Sequence, residues 1–194
     1  VDGNFNDIAG LFAAQGRTSD SLVSYIGSTD KTQPGGYALS VSQLAAQGYL
    51  NGAASAALAD TAGTFTAPFT VDANNDSFAI KLDGVQSGTV TLAQGSYTTA
   101  AALTAEIQSK INGDSALAAA GAGAAVTFDS TNDRLVITST RYGSASLVEV
   151  TSVDSASAAT LGLSAASGTA GVDAAGTIDG VAATGSGRTR CSTR

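Results

Sequence analysis

An α+β fold, mainly β, is predicted for this chain by three patterns. Phe78, Ile80 and Leu82 alternate with small or polar residues, the period of a strand with one buried face. Leu103, Ile107 and Ile111 fall on one stripe of a helix. Between such segments stand clusters of Gly, Asn, Asp and Ser, the residues that build turns. The resulting order is strand, strand, helix, strand, strand over 65–167, an inner α+β module. Residues 18–64 and 168–187 flank it and are expected to form an outer, β-rich module. Residues 1–17 read as the end of a longer helical stalk.

Phe5, Ile8, Leu11 and Phe12 lie at helical spacing, with Gly16 as a stop. Leu22-Val23-Ser24-Tyr25-Ile26 reads as a strand. The turn-rich stretch from Ser28 to Gly36 then leads into a second strand, where Tyr37, Leu39 and Val41 share an expected buried face. The two make a hairpin with a long loop. Gly48 to Gly63 is small and Ala-rich, a linker or a poorly anchored helix. Phe69 to Val71 opens the inner module, Asp83-Gly84 turns the Phe78 to Leu82 strand, and Thr89 to Leu92 returns.

A helix is expected from Thr98 or Thr99 as N-cap to Asn112-Gly113 as stop, with Glu106 and Lys110 an i,i+4 pair. Val126 with Phe128, and Leu135 with Ile137, form two strands joined by the turn Ser130-Thr131-Asn132-Asp133. Leu147 to Val150 is a further strand. Asp154 to Gly162 has an Asp cap and a Gly stop, enough for one or two helical turns. Thr177 to Ala182 is read as a strand that joins the early hairpin in one sheet. The inner core is expected to contain Phe78, Ile80, Leu82, Val90, Leu103, Ile107, Ile111, Phe128, Leu135 and Ile137.

Composition narrows the function classes. The 194 residues carry a net charge of −7, which becomes −10 without Arg188, Arg190 and Arg194. Such a surface repels phosphate backbones, so nucleic acid is not an expected partner. The closing Arg188-Thr189-Arg190-Cys191-Ser192-Thr193-Arg194 reads as a non-native tail, set aside from fold reasoning. Cys191 is the only cysteine, which excludes an intramolecular disulfide and a cysteine-based metal cluster. No stretch approaches the roughly 20 apolar residues of a membrane span, so membrane insertion is not expected either. There is no Met and no signal-peptide pattern, and the chain reads as a trimmed or processed piece.

Catalytic chemistry finds little to stand on. Without histidine, Ser-His-Asp, Cys-His and His-metal arrangements are impossible within the chain. Ser28 and Lys31 have Ser-x-x-Lys spacing, but in a turn-rich loop close to Pro34, and the companion motifs of such enzymes are missing. Glu106 and Glu149 are assigned to a solvated helix edge and a solvated strand. Asp72, Asn74 and Asp76 occupy relative positions 1, 3 and 5 of a calcium loop, with Asp83 at position 12. Ser77 stands where that loop needs glycine, and Asp83 where it uses glutamate, so an ion-free Asn/Asp turn is the expected reading. Gly121-Ala122-Gly123 lacks the third glycine of a dinucleotide fingerprint and is assigned to a loop. Tyr25, Tyr37, Tyr49, Tyr97 and Tyr142 are scattered, and packing is expected over a sugar-binding face. The expectation is therefore no catalytic, cofactor or metal residue, and no enzyme.

Three stretches carry a family resemblance. Gly35-Gly36-Tyr37-Ala38-Leu39-Ser40-Val41-Ser42-Gln43-Leu44-Ala45 is similar to the segment that follows the stalk in the bacterial flagellar cap protein family, the hook-associated proteins of type 2. Arg141-Tyr142-Gly143-Ser144-Ala145-Ser146 is similar to a strand start of that family. Ala170 to Ala183 resembles a third of its segments. The resemblance reaches from about Ser19 to Gly187, and the inner module resembles the one inserted in flagellins and hook-associated proteins.

It implies a structural protein, the head of a cap subunit truncated on its C-terminal side. Full-length subunits would form a homo-oligomeric ring at the filament tip, outside the cell, held by coiled-coil legs. Implied partners are flagellin and, for an adhesive role, host surface glycans or mucins. The isolated head would be monomeric or weakly associated. A stand-alone adhesin or carbohydrate-binding module is the alternative from another class. A flagellin or hook-filament junction protein with the same inserted motif is the alternative within it.

Overall fold

The computed structural model describes residues 16–21, 23–27, 33–59, 64–187 and 189–191. The expected stalk helix of Phe5 to Phe12 and the Ser28/Lys31 pair lie outside them. The chain divides into two units, Val1–Ala38 and Leu39–Arg194. In the first, the described residues form neither helix nor strand. The Thr18 hydroxyl donates to the Val23 carbonyl over 2.7 Å, and Tyr25 and Ile26 are exposed. The strand expected at Leu22 to Ile26 is thus not formed by its described residues, Val23 to Ile26, and neither is the early hairpin.

The second unit is α+β and mainly β. Its strands are β1 (Leu39–Gln43), β2 (Gln47–Asn51), β3 (Phe69–Val71), β4 (Ser77–Leu82), β5 (Val85–Gln86), β6 (Val90–Thr91) and β7 (Gly95–Tyr97). After the helices α1 (Ala100–Asn112) and α2 (Ser115–Ala119) come β8 (Ala124–Asp129), β9 (Arg134–Tyr142) and β10 (Val148–Val153). Helix α3 (Ser157–Thr160), β11 (Ala166–Ser167), β12 (Ala175–Ile178), β13 (Val181–Ser186) and β14 (Thr189–Cys191) complete the order.

Antiparallel pairing gives four sheets: β1-β12-β13-β14, β11-β10-β4-β5 with β6 also on β4, β2-β9-β8, and β3-β7. The last three, with the helices, make a body around one apolar cluster. Phe78, Ile80 and Leu82 from β4, Leu103, Ile107 and Ile111 from α1, Leu135 and Ile137 from β9, and Leu161 and Leu163 are all but sealed from solvent. Each such side chain contributes about 1.5–3 kcal/mol on burial. All ten residues expected in the inner core sit in or against this cluster, Phe128 being the partly buried one.

Local signals explain α1 well. The Thr99 hydroxyl accepts from Ala102 N over 3.1 Å as N-cap, and Gly113 follows as C-cap. Lys110 and Glu106 approach to 3.7 Å. The second short helix, α2, is capped by the Asp114 carboxylate, which accepts from Ala116 N and Leu117 N, each at 3.0 Å. It seals Leu117 into the core.

Three further expectations are corrected by the fold. Gly48 to Gly63 is not a linker over its described part: β2 pairs with β9, and Leu50 and Leu58 are buried in the body's core. Asp154 does not cap α3, because its carboxylate accepts from Ser77 N and the Ser77 hydroxyl, each at 2.7 Å. Thr177 to Ala182 is a hairpin, with Ile178 paired to Val181 around Asp179-Gly180. The tail residues Thr189–Cys191 pair with β13 and extend its sheet.

One face of the four-stranded sheet carries apolar side chains that are partly exposed. Leu39 pairs with Ile178 and Ile178 with Val181, so the three stand in one row. Leu39 and Val41 are 42% and 48% exposed, which overturns the buried face expected for that strand.

Candidate functional site

Among the described residues, the β1-β12-β13-β14 sheet contributes none to the body's core cluster and shares no strand pairing with the body's sheets. The chain passes between them twice, after Gln43 and before Ala175. These two crossings run antiparallel and bond to one another. Ala46 N donates to the Val172 carbonyl over 2.9 Å, and Val172 N to the Ala46 carbonyl over 3.2 Å. Gly143 N donates to the same Ala46 carbonyl over 3.0 Å, and Gly171 N to the Ser146 carbonyl over 2.8 Å. The loop between β9 and β10 is thereby tied to both crossings.

Asp173 sits at the centre of this neck. One carboxylate oxygen, Oδ2, accepts from the Ser144 hydroxyl over 2.6 Å. The other, Oδ1, accepts from Gly187 N over 2.6 Å and from Ser144 N over 3.1 Å. Its backbone carbonyl accepts from the Gln43 amide over 3.0 Å. The Ser144 hydroxyl, followed by the Gly187 and Ser144 N–H groups, holds the Asp173 carboxyl below the usual carboxylate range. Asp173 therefore joins the β9–β10 loop, the neck and the β13–β14 turn through one charged group.

Two glycines make this approach feasible. Gly143 has φ +102°, and a Cβ placed on it would stand 2.4 Å from Asp173 Oδ1 and 2.5 Å from the Gly187 Cα. A Cβ on Gly171 would meet the Ala46 and Gly143 carbonyl oxygens at 2.4 and 2.5 Å. Gln43, the Gly143-Ser144 pair and the Gly171 to Asp173 run belong one each to the three stretches that carried the family resemblance. The structure brings all three to one place.

The residues weighed for chemistry are dispersed or occupied. Asp72 Oδ1 accepts from Asn74 N over 2.8 Å, and Asn75 Oδ1 accepts from Asp72 N over 2.8 Å, which closes the turn on itself. Asp76 accepts from the Gln94 amide over 2.6 Å. Asp83 faces elsewhere, accepting from the Ser139 hydroxyl over 2.8 Å and from Leu147 N over 3.0 Å. The four side chains of the calcium pattern do not gather at one point: Asn74 and Asp72 bond to each other, while Asp76 and Asp83 are bonded elsewhere. Among the described residues no group of three or more carboxylate, cysteine or histidine side chains is placed to hold a metal ion.

Glu149 pairs with Lys81 at 3.4 Å across adjacent strands, and Glu106 also accepts from Ala93 N over 2.8 Å. Gly121 and Ala122 line a shallow concavity with Asp83 and Arg141, while the Gly123 carbonyl accepts from Thr140 N over 2.9 Å. Tyr49 and Tyr142 stand on the paired strands β2 and β9, while Tyr97 is on β7 of another sheet, so the three do not make one face. Packing holds for Tyr97, which lies against the core, but not for Tyr25, Tyr37 and Tyr49, which are exposed. Sequence reasoning missed Asp173 and Ser144. The available signal was their position inside two of the singled-out stretches.

No protein-family model and no curated protein matches the chain. Solved structures do resemble it, among them two flagellar cap proteins. The crystal structure of FliD (HAP2) from Pseudomonas aeruginosa PAO1 is 21% identical, with a TM-score of 0.48, over 80% of this chain and 68% of that one. The D2-D3 domains of the flagellar cap protein FliD from Serratia marcescens are 21% identical, with a TM-score of 0.47, over 82% of this chain and 81% of that one. Among the described residues no helix is long and apolar enough to cross a membrane.

Proposed function

We propose that the chain is the head of a bacterial flagellar filament cap subunit, a structural part with no bond chemistry of its own. The observation that carries this reading is the meeting of the three family-like stretches at the Asp173 neck. Stretches whose bonded residues lie 29 and 130 positions apart serve one structural purpose there, which scattered chance similarity would not produce. The dispersal of the candidate chemical groups among the described residues is compatible with a scaffold.

On this reading the inner module, 65–167, and the outer one, 18–64 with 168–187, are the two head domains, with the described part of 47–59 packed into the inner one. Full-length subunits form a ring at the filament tip, outside the cell, and guide flagellin into the growing filament. A closed ring lets one surface serve every subunit. The isolated head is monomeric or weakly associated in dilute solution, a point that light scattering over a dilution series checks.

Gold-labelled antibodies raised against this chain test the assignment on intact filaments. Label confined to the tips is the expected result. Label along the filament, at the hook junction, or only on the cell body would replace the cap reading with a flagellin, a junction protein or an adhesin respectively.

A further inference from the structure

The four-stranded sheet is attached to the body through little more than its neck. β1 is exposed along its whole length, and the sheet adds nothing to the apolar cluster that holds the body together. Ala183 is the one buried apolar side chain among the sheet's described residues, too little packed surface to fix an angle, so its orientation comes from directional bonds near the crossings. The backbone pairs between Ala46 and Val172 join the two crossings to each other, and an antiparallel pair of single strands bends and twists readily. Only bonds that reach sideways from the neck, to the body on one side and to the sheet on the other, can stop such a pair from pivoting.

Asp173 makes both kinds of bond with one carboxylate. Oδ2 and Oδ1 accept from Ser144, which belongs to the body's β9–β10 loop. Oδ1 also accepts from Gly187 N in the turn between β13 and β14, and Ala174 N returns a bond to the Gly187 carbonyl over 3.1 Å. We infer that Asp173 is a latch that sets the angle of the β1-β12-β13-β14 sheet on the body, and that releasing it lets the sheet swing about the neck without melting. The inference concerns the fold and stands whichever function the head has. Asp173 is a positioning residue. Its two partners are uncharged, so the latch works by hydrogen-bond direction and not by ion pairing.

Spin labels report the swing. With Cys191→Ser as background, Ser109→Cys on α1 and Ala182→Cys on β13 give two exposed label sites, one on the body and one on the sheet. Pulsed electron spin resonance should return one narrow distance distribution for this pair. Asp173→Ala and Ser144→Ala should each broaden it at least about two-fold, as expected of a freed hinge. The double variant should broaden it no further than Asp173→Ala alone, since both act on one contact.

Hydrogen exchange on the same variants should leave the amides of α1, β12 and β13 as protected as before. An unchanged narrow distribution in Asp173→Ala would overturn the latch. So would lost protection in β12 and β13 or in α1, because Asp173 would then hold the fold itself and not its angle.

Discussion

The side-chain amide of Asn112 pairs with both backbone groups of Ala124: its Nδ2 donates to the Ala124 carbonyl over 2.9 Å, and its Oδ1 accepts from Ala124 N over 2.8 Å. One turn earlier on α1, Gln108 Oε1 accepts from Val126 N over 3.0 Å. β8 is the outer strand of its sheet, with β9 on one side only. The two amides, four residues apart on one face of the helix, satisfy the bare edge as a neighbouring strand would. An exposed row of backbone donors is thus turned into the seam between helix and sheet.

Asn112→Ala should cost about 1–3 kcal/mol, because it leaves a part-buried N–H and C=O without partners. Urea unfolding followed by circular dichroism measures this. A loss no larger than the roughly 0.5 kcal/mol of an ordinary surface change would mean that water serves the edge as well as the amide does.

Ile107 has no exposed surface and lies between Leu103 and Ile111 on the buried stripe of α1. Ile107→Ala should cost about 2–5 kcal/mol through lost burial and the cavity left behind. The same unfolding titration applies, and a small effect would show that the helix does not pack on the core as described.

How far these features were legible differs element by element. The strand β4 and helix α1 announce themselves, since each buries one clean stripe and ends at strong turn or cap residues. β2 was hidden because its only large apolar inward residue is Leu50. A Cβ on its Gly48 would come within 2.2 Å of the Ser146 carbonyl oxygen, so close backbone approach replaces a hydrophobic pattern there. The β12–β13 turn was readable in the Asp179-Gly180 pair, a strong hairpin signal that was overlooked. The neck was not readable, because a carboxylate bonded to residues 29 and 14 positions away leaves no periodic trace.

Gly143→Ala tests that neck from its other side. A methyl group there faces the Asp173 carboxylate, and φ +102° is strained for any residue with a Cβ. A cost of about 1–3 kcal/mol is expected for forcing such a conformation. It should appear as faster exchange in the Ala46, Val172 and Ser144 amides, with α1 unchanged. Equal acceleration in α1 would place the strain in the body instead.

Acid should weaken the body through Asp154. The Ser77 hydroxyl first, and the Ser77 N–H with it, hold this carboxyl below its ordinary value against the opposing effect of burial. A depressed carboxyl contributes stability that is full above the ordinary carboxylate range. That stability is lost as pH falls through the range and below it. Thermal melts at neutral pH and near pH 3 should therefore differ more in the parent than in Asp154→Asn, whose side chain does not titrate. Equal acid sensitivity in the two proteins would show that the Asp154–Ser77 bonds do not carry the effect.

Calcium should leave the protein as it is. Asp72 Oδ1 and Asn75 Oδ1 accept from N–H groups of their own turn, and Asp83 is bonded to Ser139 and Leu147 away from them. To gather these side chains around an ion, the turn would have to give up bonds that hold β3 and β4 in place, a cost that ion binding would need to offset. Any ligand that binds only the folded state raises its stability by mass action. Melts in excess calcium and in chelator, followed by metal analysis after dialysis, give a direct answer. Coincident curves are expected. A reproducible rise of several degrees with one ion per chain would mean that the turn opens to bind, and that its internal hydrogen bonds are weaker than the carboxylate–metal bonds replacing them.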